Sequence, residues 1–437
     1  MLIFDISIIL VALYIAYRWP MAGISLAAQG YIVRNIFTNS PTNGSESLIS
    51  VGLPATIFLL ILVRSILTKR LPPIFWIFDS LVLFGIIYSL GFIYSPNHSL
   101  ALDRIVRFWI AGASYYFIII FAVYSSKTHI KNTNWAEQYF LGTWIIAIFV
   151  SVWAIFAPGG TAFRLSVGNV HPIPFGLLLA TGLLYNIFLI LRPEKSRIPR
   201  IILLASLPFI LYSFIASNSR GPFVAFVAGL MYMVVALTLK KNNTKLSIGQ
   251  LFALLIFLII LFVFATTTGN DITERLFNNL YTAIFETGSN RGTSAIERID
   301  AWNFSIKMFS ESPIIGKGTA SFPYYHFLEY PHNIFLETAA ELGTIGLLVM
   351  ILWFGILIIP IVQIFFSKKN IDPTLVLVAA VLLANMLEVQ VSFTIWMHKN
   401  LFIASALLLL SVRSLRYRSE IQKKLCQNEI NDPPLSI

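Results

Sequence analysis

Long apolar runs, separated by short polar clusters, make up most of the chain. They fall at 2–17, 21–37, 48–67, 74–94, 102–124, 138–157, 172–191, 200–216, 220–239, 248–267, 334–366, 373–391 and 398–412. Most approach the ~20 residues that a helix needs to cross a bilayer core. Inside them apolar residues follow one another rather than alternating with polar ones, which excludes half-buried strands. The pattern predicts an all-α, polytopic helical membrane protein with twelve or thirteen transmembrane segments and one large outer loop containing helices. The run at 21–37 holds Gln29 and Arg34, so it reads as either a span or a re-entrant or interfacial segment. The run at 334–366 exceeds one crossing and is expected to project from the bilayer. The run beginning at Leu2 leads directly into further runs, so it reads as an anchor rather than a cleaved leader.

Composition agrees with the pattern. Hydrophobic residues are 57% of the 437 and charged residues only 12%, against about 25% charged in soluble domains. The net charge of +11 could suggest nucleic acid, but the basic residues sit in clusters between apolar runs, as the positive-inside bias requires. Those clusters include Arg64/Lys69/Arg70, Lys127/Lys131, Arg192/Lys195/Arg197/Arg200, Lys240/Lys241/Lys245, Lys368/Lys369 and the tail from Arg413 to Lys424. They define the cytoplasmic side and place the C-terminus there. The opposite side then receives 38–47, 95–101, 158–171, the turn 217–219, the long segment 268–333, and 392–397. The chain divides into helices and short loops (1–267), the large outer loop (268–333), C-terminal helices (334–412) and a polar tail (413–437). The single cysteine, Cys426, allows no intramolecular disulfide and no Cys-based metal site.

Within the outer loop, residues 294–310 have helical spacing, with Ile296, Ile299, Trp302, Ile306 and Phe309 as an apolar stripe. A helix there would lie on the membrane face or cap a cavity. Charges at membrane depth or its margin usually face a partner or a cavity, which singles out Arg220, Arg291, Arg298 and His332, with Arg104, Arg107, Arg164 and Glu337 behind them. Arg220 follows the polar triplet Ser217-Asn218-Ser219 and precedes Gly221-Pro222, which open the next helix. A helix N-terminus plus an Arg makes an anion site; the bland reading is a snorkelling side chain. Arg298 lies four residues before Trp302, with a solvated pair to Glu297 or Asp300 as its bland reading. Arg291 sits in a Gly/Ser/Asn/Thr stretch. Several arginines converging on one point suit a diphosphate, which Arg grips bidentately. His332, in Tyr330-Pro331-His332-Asn333, is by itself more simply a hydrogen-bonded structural residue. Glu337 and Glu341 follow at helical spacing, and His326 is a weaker rival. No Walker A loop, HExxH or Asp-x-Asp pair occurs, so neither ATP nor a metal cofactor is expected.

These residues resemble a family. Ser219-Arg220-Gly221-Pro222, then Arg298-x-x-x-Trp302, then Pro313-x-x-Gly316-x-Gly318, then His332-Asn333, nine residues, Gly343-x-x-Gly346, stand in an order similar to the O-antigen ligase and polymerase superfamily of bacterial inner-membrane glycosyltransferases. Arg164-Leu165-Ser166-x-Gly168, leading to His171-Pro172, resembles that family's earlier outer loop. The resemblance implies transfer of a glycan from an undecaprenyl diphosphate carrier on the periplasmic face, with inversion and without a cofactor. It implies Arg220 and Arg298, with Arg291 as a third, as diphosphate-binding residues, and His332 as general base or positioner of the acceptor hydroxyl. Arg164, Asn333 and Glu337 are expected in support. The acceptor would be a sugar of lipid A core for a ligase, or a second lipid-linked repeat for a polymerase; the His-Asn-(nine)-Gly-x-x-Gly spacing and the short loop 158–171 favour the ligase. A lipid-linked-oligosaccharide flippase would instead need repeats and midplane charges, for which Asp79 and Glu388 are the candidates. A purely structural export-complex subunit would tolerate loss of both Arg220 and His332.

Overall fold

A computed structural model describes residues 2–37, 48–73, 80–125, 134–161, 164–192, 198–239, 293–367 and 371–413. The expected span 248–267, Arg291, Asp79 and Cys426 lie outside the described residues. The described chain is helical almost throughout. Its elements are α1 (Leu2–Arg18), α2 (Pro20–Phe37), α3 (Leu53–Leu67), α4 (Ser80–Leu90), α5 (His98–Arg107), α6 (Ser114–Ser125), α7 (Asn134–Phe156), α8 (Pro172–Leu191), α9 (Arg200–Ala216), α10 (Arg220–Leu239), α11 (Thr293–Glu311), the single turn α12 (Phe322–Tyr325), α13 (Ile334–Phe366) and α14 (Pro373–Glu388), closed by α15 at 399–413. Five helical stretches among the described residues are long and apolar enough to cross a membrane, and five more are apolar but shorter. The protein is an all-α polytopic helical protein.

Helix α13 shows why the surrounding medium is lipid. Its inward positions Met350, Trp353, Leu357 and Ile361 are buried, while Leu348, Ile351, Leu352 and Ile359 on the other side are exposed. Both faces are apolar, and a helix apolar all round belongs in a membrane or a large core. Helix α2 runs for 18 residues with Gln29, Arg34 and Asn35 buried; Gln29 donates to Asn400, and Asn35 donates to the Tyr31 carbonyl. Its polar side chains therefore face protein.

Loop 158–171 forms the one hairpin among the described residues: β1 (Pro158–Thr161) pairs antiparallel with β2 (Arg164–Val167). Gly168 then turns at φ +51 against Asn35, leaving no room for a side chain. Two close approaches pack α8, α10 and α14 together. On α8, Gly176 packs on Pro222 and Ser217, and on α10, Gly229 packs on the Ala380 carbonyl and Ala384 of α14. Small residues let the backbones approach in this way. The turn between α9 and α10 is buried, with Asn218 at φ +47, a conformation that Asn tolerates.

The long run 334–366 neither continues straight nor simply projects. Gly343 breaks it, at φ +63 and ψ −160. The groups freed by the break are taken up by loop 313–318. Lys317 and Gly318 donate their N–H groups to the carbonyls of Ala340 and Glu341 (3.0 and 2.8 Å), while Thr344 and Ile345 donate to Pro313 and Ile314 (2.8 and 3.2 Å). Gly316 and Gly318 also have positive φ, and a Cβ on Gly316 would stand 2.3 Å from the Glu341 backbone. The Pro-x-x-Gly-x-Gly and Gly-x-x-Gly motifs are thus two halves of one joint, held by four backbone hydrogen bonds.

On α11 the inward face differs from the stripe read from the sequence. Ala301, Ser305 and Met308 are buried, whereas Ile296 and Ile306 are exposed. Ala301 and Ser305 are small enough to seat α11 against α13, so close packing rather than side-chain hydrophobicity selects the face.

Replacing Gly343 by Ala should destabilise the protein by about 1–3 kcal/mol, because that φ/ψ region is open essentially only to Gly and the new Cβ would lie 2.4 Å from the Ile314 oxygen. Gly355→Ala in the same helix meets nothing within 4 Å and should be neutral or stabilising by up to about 1 kcal/mol. Thermal unfolding in detergent compares the two; equal melting temperatures would contradict the joint.

Candidate functional site

Three helices begin at one place. Helix α8 opens at His171, whose Nδ1 accepts from the Ile173 N–H at 3.3 Å. Helix α10 opens at Arg220. Helix α13 opens at Asn333, whose side-chain oxygen accepts from Phe335 and Leu336 N–H at 3.0 and 3.1 Å. Each N-terminus carries a partial positive charge, although the first N–H groups of α8 and α13 are taken by His171, Asn333 and the Val389 carbonyl.

Three arginines join them. Arg164 leads β2, Arg220 leads α10, and Arg298 lies in the second turn of α11. Arg298 and Arg164 both act electrostatically on Arg220, and Arg164 acts on Arg298. Burial first, and then Arg164, hold the Arg298 guanidinium below the usual arginine range, with Glu388 and Tyr330 opposing. None of the three forms an ion pair with a carboxylate among the described residues. Arg298 donates from Nη1 to the Val391 carbonyl at 2.8 Å, and its buried Nε has no partner. Its expected surface pairing does not form, since Asp300 instead meets His326 Nε2 at 3.1 Å. Packed among Phe304, Phe322 and Phe327, His326 is a structural staple.

His332 stands beside the arginines. Its backbone is left-handed, at φ +59, which is uncommon for a residue other than Gly and costs on the order of 1–3 kcal/mol. The conformation is fixed from both sides. Trp302 Nε1 donates to the preceding Pro331 carbonyl at 2.9 Å, and the following Asn333 donates from Nδ2 to the Gln390 carbonyl at 3.2 Å. The ring lies edge-on to Tyr330 at 4.7 Å, and its Nδ1 accepts from Phe393 N–H at 3.3 Å. Burial, then Arg298, then His171 push the imidazole down to about 4. It is therefore neutral near pH 7. With Nδ1 accepting, its proton resides on Nε2. Burial likewise raises the Tyr330 phenol to about 12, so that group is a neutral donor or acceptor.

The structure thus gathers Arg164, Arg220, Arg298 and His332. Asn333 adjoins them as a cap and clamp. Glu337 does not face His332. It is turned into a buried cluster with Arg104 (3.6 Å) and accepts from Thr394 Oγ1 at 2.5 Å. Glu341 shares Arg104 at 3.7 Å and accepts from Ala320 and Phe322 N–H. Arg104 also donates to the Glu329 carbonyl at 2.6 Å. This cluster ties α5, α13 and the irregular segment leading to His332 together behind the site. Glu388 ends α14 beside Gly221 at the start of α10, where a Cβ on Gly221 would lie 3.7 Å from Oε1.

Sequence reasoning missed the part played by segment 389–398, and by Tyr330 and His171 as neighbours of His332. The two residues were visible within motifs. The segment had only one signal, a Glu at the end of one span and a His at the start of the next.

The family model described as O-antigen ligase matches residues 203–351. That stretch contains Arg220, Arg298, His332 and the Gly343 joint, and the match supports the O-antigen ligase superfamily for this chain. No curated protein matches it.

Proposed function

We propose that the protein is an O-antigen ligase-type glycosyltransferase, moving a glycan from undecaprenyl diphosphate to a sugar hydroxyl of lipid A core. The observation that carries this reading is the set of three arginines, lacking carboxylate partners among the described residues, at the converging N-termini of α8, α10 and α13. Such a place favours a multiply charged anion, and guanidinium forks suit phosphate oxygens. The reading puts the site on the periplasmic side of the inner membrane, with 268–333 as the large outer loop and the C-terminus in the cytoplasm, as the basic clusters suggest.

The chemistry follows from the charges. The acceptor oxygen attacks the anomeric carbon while that carbon's bond to the diphosphate oxygen breaks, inverting the centre. Negative charge grows on the departing diphosphate, where Arg220 and Arg298, assisted by Arg164, stabilise it. Arg291 is the further candidate for that role. The acceptor proton must leave, and His332 is the neighbouring group able to orient the hydroxyl or take its proton. The Nε2–H tautomer favours orientation. Acting as base at Nε2 requires giving up the Phe393 bond, which at 3.3 Å is long.

Arg220→Ala and His332→Ala should each cut transfer by about 10²-fold or more, with expression and membrane insertion unchanged. The assay is purified protein with lipid-linked glycan and lipid A core. Wild-type-like transfer by His332→Ala would sink its role, and His332→Gln separates the two chemistries, because an amide can orient a hydroxyl but cannot accept its proton. In a deletion strain, long chains stranded on the carrier indicate a ligase; single repeats capping the core indicate the polymerase alternative.

The pH dependence has a definite sign. Neutral His332 is the working form, so activity is lost as pH falls through its pKa. In the free protein that value is about 4, and kcat/KM, which reports the free enzyme, should be level from pH 7 down to about 5. Bound diphosphate offsets Arg298, so the acid limb of kcat should lie at higher pH than that of kcat/KM. Coincident limbs would mean that the anion does not bind beside His332.

A further inference from the structure

The segment joining α14 to α15 lies outside the stretch that matches the family, yet the site residues end on it. Arg298 donates to the Val391 carbonyl, Asn333 donates to the Gln390 carbonyl, and Phe393 donates to His332. Two further bonds fasten α13 to the same segment: Ile334 N–H to the Val389 carbonyl at 3.4 Å, and Thr394 Oγ1 to Glu337. Gly221, next to Arg220, lies so close that a Cβ would stand 2.8 Å from Ser392 Oγ. The segment is thus the common wall against which the guanidinium of Arg298 and the ring of His332 are set.

Residues 389–394 form no helix or strand of their own, and Phe393 is left-handed at φ +53. Something must impose that path. His398 Nε2 donates to the Ser392 carbonyl at 2.8 Å, and its Nδ1 stands 3.1 Å from Glu388 Oε2. Glu388 is fully buried and His398 nearly so. One ring therefore pins three points of the segment: the residue before it, its middle and its end. Because a carbonyl can only accept, Nε2 carries a proton. Nδ1 faces the Glu388 carboxylate at ion-pair distance, without a hydrogen bond to either carboxylate oxygen among the described residues, and the ring cannot rotate without losing both contacts. Both nitrogens are buried and face these partners, so the ring has no free edge for substrate. Glu388 also acts electrostatically on Arg298, which links the clamp to the arginine set. A buried ion pair is weak evidence for stability; orienting the groups in contact with substrate is its better-supported use.

We propose that the His398–Glu388 pair is a positioning device for glycan transfer, holding segment 389–394 so that Arg298 and His332 keep their reactive placement. The proposal rests on the reading of the site as a diphosphate-dependent transferase, and its test has one arm that does not.

In the transfer assay with full-length protein, His398→Phe should lower kcat by about 10–100-fold, the usual effect of losing an orienting partner, with donor KM changed less than about threefold. His398→Gln, which can still reach the Ser392 carbonyl, should recover most of the rate, and Glu388→Gln should fall between. A merely structural role predicts the reverse: less folded protein, but wild-type kcat per folded molecule and no rescue by Gln. Wild-type kcat in folded His398→Phe overturns the proposal. The independent arm is hydrogen exchange on the same proteins in detergent. Peptides spanning 389–394 should exchange at least tenfold faster in His398→Phe, with α10 and α11 unchanged. Unchanged protection there overturns the clamp whether or not the chain transfers glycan. If wild-type protein transfers to neither acceptor while exchange responds as expected, the functional reading fails and the clamp stands.

Discussion

Repulsion among Arg164, Arg220 and Arg298 is the constraint around which the outer half of the molecule is organised. Like charges in one partly buried space oppose each other, and burial adds to the cost for Arg220 and Arg298. A fold that places three such groups together must hold each from behind. Arg220 is fixed by the buried turn 217–219 and the close seating of Gly221, Arg164 by the β hairpin, and Arg298 by the Val391 carbonyl. On the proposed reading, an anion that relieves the repulsion would bind with little rearrangement, as preorganised electrostatic stabilisation requires.

Rigidity is supplied from the side facing away from the anion. The Gly343 joint interlocks loop 313–318 with α13 through four backbone bonds. The Arg104–Glu337–Glu341 cluster binds α5 to the same helix. Both arrangements leave His332 and Asn333 at the mouth of α13 with a backbone path that an isolated tetrapeptide would not adopt. The left-handed φ of His332 is stable because Trp302, Asn333 and Phe393 over-determine it, the condition under which such strain persists at functional sites.

The sequence made much of this legible, for reasons that differ by residue. Long apolar runs announce membrane helices because lipid demands them, and α8, α10 and α13 match the runs closely. Asn333 and Gly343 could be read as a motif, because a cap and a break each require one residue type. The partners of those residues were not legible. Glu337 lies at helical spacing from His332, but the pull of Arg104, more than two hundred residues earlier, decides where it points. On α11 the periodicity was correct in period and wrong in face: small Ala301 and Ser305 permit a close approach that bulky Ile296 and Ile306 do not. Segment 389–398 has no periodicity or motif, and its importance arises only from contacts with residues 57 to 93 positions away.

The neutrality of His332 follows from the same electrostatics. A protonated imidazole beside Arg298 would be a fourth cation in a partly buried space, and the protein without donor disfavours it. Once a diphosphate has entered, the Coulombic part of that penalty is offset while the desolvation part remains. The ring's affinity for a proton therefore rises only when the leaving group is in place. On the proposed reading, an acceptor hydroxyl arriving after the donor meets a ring better able to hold or take its proton than one arriving at the empty site. The same arginines that would bind the leaving group would then also tie proton transfer to its presence.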